Sequence, residues 1–146
     1  MGKIIIEKLK ALFHKEGVNP ADWENVHPNL IPIAEFVYSH CETYSLPMTI
    51  TSLFRRKIPG VSKSDSHGSV GIFTNERGEK IPYKGRAFDM SIKGWSLQDV
   101  HFLRDRVNAI FNVGALSIRD GHEREAVYED GITAGTAPHL HFQVRP

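Results

Sequence analysis

The chain has 146 residues, of which 40% are hydrophobic and 24% charged, and a formal net charge of +1. That is one domain with enough apolar material for a core, and its near-neutral charge argues against nucleic acid or an anionic membrane as partner. Its single cysteine, Cys41, excludes an internal disulfide framework.

Residues 3–16 read as a helix, with Ile5, Leu9, Leu12 and Phe13 on one stripe and Gly17 placed to close it. Residues 18–26 read as a polar connector around Asn19-Pro20. A second helix is expected over 29–44. Leu30, Ile33, Ala34, Val37, Cys41 and Tyr44 repeat at helical spacing there, between Pro28 and Pro47. Cys41 falls on that apolar stripe and reads as inert core. Residues 48–54 are rich in β-formers and read as a strand ending in Arg55-Arg56-Lys57.

A polar segment over 59–84 follows and reads as a long loop, a feature more often functional than idle in a small domain. Residues 86–92 alternate, with Phe88, Met90 and Ile92 on one side and Ala87, Asp89 and Ser91 on the other, as a half-buried strand would. A third helix is expected over 96–112, opened by Ser96 and Asp99 as a capping box. Its buried stripe is Val100, Leu103, Val107, Ile110 and Phe111. Residues 115–118 read as a short strand and 120–136 as loop or hairpin. The last strand, 138–144, puts Leu140, Phe142 and Val144 on a core face and His139, His141 and Gln143 on the opposite one.

This order predicts an α+β fold with a small, mostly antiparallel sheet and helices packed on one side of it. Residues 1–146 are expected to form a single domain in which 1–28 are an N-terminal helical extension. No apolar run approaches a membrane span, and Ile4-Ile5-Ile6 is too short for a signal peptide core. Synthesis in the cytoplasm is therefore expected. No Gly-rich phosphate loop is present, which sets nucleotide-dependent chemistry aside.

The sequence has eight histidines. His14, His27, His40, His101 and His122 lack partners at motif spacing and read as ordinary surface or half-buried residues. His67, Asp89, His139 and His141 differ, because the last three sit on polar strand faces. Two histidines and a carboxylate are a frequent catalytic zinc set that leaves a fourth position for water.

Four motifs carry a resemblance: Thr51-Ser52-Leu53-Phe54-Arg55, Ser66-His67-Gly68, Gly85-Arg86-Ala87-Phe88-Asp89-Met90 and His139-Leu140-His141-Phe142. In order and strand context they resemble the zinc D-Ala-D-Ala carboxypeptidase and L-alanyl-D-glutamate endopeptidase family. That family belongs to the hedgehog/DD-peptidase fold group. The resemblance implies His67, Asp89 and His141 as zinc ligands, Arg55 as a clamp for a substrate carbonyl or oxyanion, and His139 as the non-ligand histidine of a His-x-His pair. The chain puts 21 residues between His67 and Asp89, more than the family's usual segment, so an insertion around 72–84 would have to loop out. Pro138 stands where many members carry a catalytic Glu. That leaves His139 as the base, or Glu129 or Asp130. Asp65 is either a hydrogen-bond partner of a ligand or solvated.

By this resemblance the chain would be a zinc-dependent peptidase acting on the peptide stem of bacterial peptidoglycan, as endopeptidase or D,D-carboxypeptidase. A compact catalytic domain without a signal peptide suits a phage-type lysin, released to the wall with phage assistance and acting as a monomer. For a carboxypeptidase, Arg56, Lys57 or Lys63 would hold the terminal carboxylate. The alternative is a non-catalytic zinc-binding interaction domain of the same fold.

Overall fold

The structure is a computed structural model that describes residues 2–56, 66–117, 120–130 and 137–146. Lys57, Lys63 and Asp65 lie outside the described residues, as does the end of the strand expected over 115–118. The described chain is α+β. Three helices, α1 (Gly2–Lys10), α2 (Leu30–Tyr44) and α3 (Leu97–Ile110), accompany nine strands. These are β1 (Phe13–His14), β2 (Thr49–Ser52), β3 (Val70–Thr74), β4 (Lys80–Lys84), β5 (Ala87–Ser91), β6 (Ala115–Leu116), β7 (Glu123–Arg124), β8 (Ala126–Glu129) and β9 (His139–Gln143). The main sheet runs β1-β2-β5-β9-β8. Only the β1–β2 pair is parallel; β5 and β9 lie inside the sheet.

Alternation along β5 and β9 gives the sheet two different faces. Phe88, Met90, Leu140 and Phe142 join Leu9, Ile33, Val37, Leu103 and Val107 of the helices in one core. Phe88 stacks on Phe142 with ring centroids 4.7 Å apart, and Trp23 meets Phe88 edge-on. Burying these aromatic side chains contributes about 1.5–3 kcal/mol each. Asp89, His139 and His141 belong to the opposite, polar face.

The second and third helices form where the apolar periodicity places them. Leu46 N–H donates to Cys41 O beyond Ser45, which takes a left-handed φ of 54° and closes α2. Ser96 Oγ accepts from Asp99 N–H and opens α3. Two residues of the expected stripes lie outside the core: Tyr44 is 50% exposed and Ile110 is 56% exposed.

The first helix stops at Lys10, and Phe13 and His14 pair with Thr49 and Ile50 at the sheet edge. Phe13 is 73% exposed rather than core. Sheet partners outcompete helical propensity here: Lys15 N–H donates to Ile50 O, and His14 Nε2 accepts from Trp23 Nε1–H. Residues Pro20–Glu24 within the expected connector form a 3-10 helix that buries Trp23.

The expected long loop is also different. Residues 70–84 form the β3–β4 hairpin, in five-pair register from Val70↔Lys84 to Thr74↔Lys80. Asn75 Oδ1 accepts from the N–H groups of Arg77 and Glu79, and Gly78 turns the chain with φ 78°. The alternation was masked because one face, with Val70 and Ile72, is exposed. The other face sets Phe73 and Tyr83 against a fully buried His27.

Within the expected loop or hairpin of 120–136, β7 pairs with β6 and β8 adds to β9. Among the described residues no helix is long and apolar enough to cross a membrane.

Candidate metal centre

Three elements deliver the site. Asp89 on β5 and His141 on β9 are direct partners across the ladder, so both side chains leave the sheet on the same face. His67 arrives from outside the sheet, just before the hairpin. Gly85 N–H donates to Ser69 O and Arg86 N–H to Ser66 O. These bonds pinch the two feet of the hairpin together, so the intervening 21 residues leave His67 beside Asp89. The segment 70–84 leaves this junction as the β3–β4 hairpin.

His67 Nε2 lies 3.1 Å from Asp89 Oδ1, and His141 Nδ1 lies 2.7 Å from the same oxygen. The two imidazoles cross at 74° with centroids 5.1 Å apart. All three side chains are buried, and each offers an atom within 4.8 Å of the other two. Burial alone would raise the Asp89 pKa, but the His67 and His141 imidazoles outweigh it and hold the carboxyl well below the usual range. For His141, burial pulls down and the Asp89 charge and hydrogen bond pull up more, so its pKa is raised.

His67 tests whether this group suits a cation. Its Nδ1 lies 2.9 Å from Leu53 O, a pure acceptor, so Nδ1 carries the proton. Nε2 is then the nitrogen that faces the Asp89 carboxylate, and it has no hydrogen-bond partner. A buried nitrogen left unpaired opposite a carboxylate oxygen is costly unless a proton or a metal ion joins the two. Two imidazoles and a carboxylate fit a divalent ion such as Zn²⁺ by number and type.

No family model, curated protein or solved structure matches the chain.

His139 stands beside the three on β9. Its Nε2 is 2.6 Å from Glu129 Oε2 and 3.6 Å from Asp89 Oδ2, and its Nδ1 is 2.9 Å from Ala137 O. Burial lowers the His139 pKa, but the Glu129 hydrogen bond and the Asp89 charge outweigh it and raise it to about 8. Arg55 reaches the site through its backbone, whose N–H donates to His67 O. Its side chain is exposed and pairs with none of His67, Asp89 and His141. Arg56 is exposed beside it, and Asp130 is exposed at the end of β8.

The other histidines stay outside the cluster, but two are not surface residues. His27 and His40 are buried: His27 between Phe73 and Tyr83, and His40 against Arg106, 2.7 Å away. His101 packs on Tyr128, and His122 is exposed. Cys41 is buried as expected, and burial pushes its thiol up to about 12. Trp23 is buried packing, and Trp95 Nε1–H donates to Pro47 O. Sequence reasoning missed the Leu53 carbonyl, which carries no side-chain signal. It also gave no role to Gln143, although its spacing two residues past His141 was visible.

Proposed function

We propose that this chain is a zinc-dependent peptidase of the hedgehog/DD-peptidase type, cutting the peptide stem of bacterial peptidoglycan as an endopeptidase or D,D-carboxypeptidase. One observation carries the reading: His67, Asp89 and His141, the residues matched by the motif resemblance, converge as one buried donor set. A Zn²⁺ ion held by these three supplies Lewis acidity, which lowers the pKa of a water towards neutrality and polarises a carbonyl.

Hydrolysis also needs a group to take the water's proton and return it to the leaving amine. His139 and Glu129 suit that task as a pair. Both His139 nitrogens face acceptors, Ala137 O and Glu129 Oε2, so the ring is protonated in this arrangement. Glu129 is then the proton acceptor of the pair and His139 the donor to the amine. Arg55 keeps its charge at any working pH. Its backbone N–H donates to His67 O, and its exposed side chain is the cation we assign to clamp a carboxylate or developing oxyanion.

The test is release of new amino groups from purified peptidoglycan, with and without chelator and zinc, beside the His141→Ala protein. Release that chelator and H141A both abolish, and that zinc restores only to the parent, supports the peptidase. A folded, zinc-loaded parent that releases nothing from several wall types favours a non-catalytic zinc-binding domain.

A further inference from the structure

We infer that Gln143 is a positioning residue that fixes which nitrogen of His141 faces the metal; this rests on the metal centre proposed above. The carbonyl oxygen of Ala115 can only accept a hydrogen bond. Gln143 Nε2 lies 3.1 Å from it and donates, so the amide oxygen must point the other way. That oxygen, Oε1, lies 2.9 Å from Nε2 of His141. An amide oxygen also only accepts, so Nε2 of His141 carries a proton. Nδ1 is therefore the nitrogen that faces the centre, 2.7 Å from Asp89 Oδ1, and the one whose lone pair a bound cation would use.

A backbone carbonyl thus orients an amide, and the amide orients an imidazole. The same job is done for His67 by Leu53 O acting directly on Nδ1. The two histidines therefore present opposite nitrogens to the centre, Nε2 from His67 and Nδ1 from His141. Ser66 Oγ, 3.4 Å from Nε2 of His141, is compatible, since a hydroxyl accepts as well as donates. Gln143 is buried, as are Ser66 and His141, so water does not replace the amide freely. Its place follows from the strand: two residues past His141, it shares that residue's face.

The experiment compares the parent with Gln143→Leu and Gln143→Glu. Leucine fills the space but accepts no hydrogen bond; glutamate keeps the acceptor towards His141 and loses the donor towards Ala115. Zinc affinity is read by competition with a chromogenic chelator. The proton on His141 is read by nitrogen-15 NMR in the metal-free and zinc-loaded proteins.

Q143L should bind zinc about 10–100-fold more weakly, with Q143E between it and the parent. The parent should show a slowly exchanging proton on Nε2 of His141 that Q143L loses. Equal zinc affinity of a folded Q143L and the parent would overturn the inference, as would a His141 proton on Nδ1 alone in the zinc-loaded parent. A parent that binds no zinc would sink the metal centre instead, while the proton exchange in metal-free protein still decides the Gln143 contact.

Discussion

Asp89 and His141 are ladder partners on β5 and β9, and Asp89 Oδ1 sits 2.7 Å from His141 Nδ1 while also lying 3.1 Å from His67 Nε2. One carboxylate oxygen therefore serves two imidazoles in a buried space. Asp89→Asn keeps the shape and removes the charge. We expect it to lose stoichiometric zinc and to weaken the metal-free fold by about 3–5 kcal/mol, as when one partner of a buried ionic group is removed. Elemental analysis and urea denaturation of the two proteins check this; a D89N protein that retains zinc and stability would contradict it.

Zinc should stabilise the fold by mass action. Free zinc at about 100 times its Kd adds about 2.7 kcal/mol. Calorimetry should show the parent's Tm rising on zinc addition and falling with chelator. His67→Ala should be indifferent to both, and a zinc-induced rise of equal size in H67A would place binding elsewhere.

The His139–Glu129 pair makes a different prediction from the ligands. Glu129→Gln removes the proposed proton acceptor without touching His67, Asp89 or His141. Its kcat on wall fragments should drop about 10²–10⁴-fold while zinc content stays at the parent level. Unchanged turnover in E129Q would remove Glu129 from proton transfer.

His27 should govern part of the acid limit of stability. It is fully buried, and its Nδ1 accepts the Asn29 N–H at the start of α2. Burial first, then the nearby Arg86 charge, lowers its pKa from 6.5 to about 4. Above pH 6.5 both folded and unfolded chains hold it neutral, and its contribution is complete. Between 6.5 and 4 only the unfolded chain takes the proton. Stability then falls by about 1.4 kcal/mol per pH unit, or roughly 3 kcal/mol in all. Urea midpoints from pH 7 to 4 should show this slope in the parent and a flatter one in His27→Phe. A parallel slope in H27F would assign the acid limit to other groups.

Local periodicity determined much of this protein. Alternation along 86–92 and 138–144 placed Asp89 and His141 on the polar side of strands, and helical spacing located α2 and α3, because such patterns mark which side of an element faces the core. What remained depended on partners distant in the chain. The edge pairing of Phe13 and His14 ended α1 early, and the His27 contact made a hairpin out of a segment too polar to announce itself. Only the tertiary structure carried His67 across 21 residues to Asp89, by pinching the feet of that hairpin. It alone set Glu129 against His139, Leu53 O against His67 and Gln143 against His141. Those contacts join β8 to β9, a loop to a strand, and one strand residue to its neighbour on the same face. Hydrogen bonds of this kind select single atoms, whereas sequence pattern selects only faces.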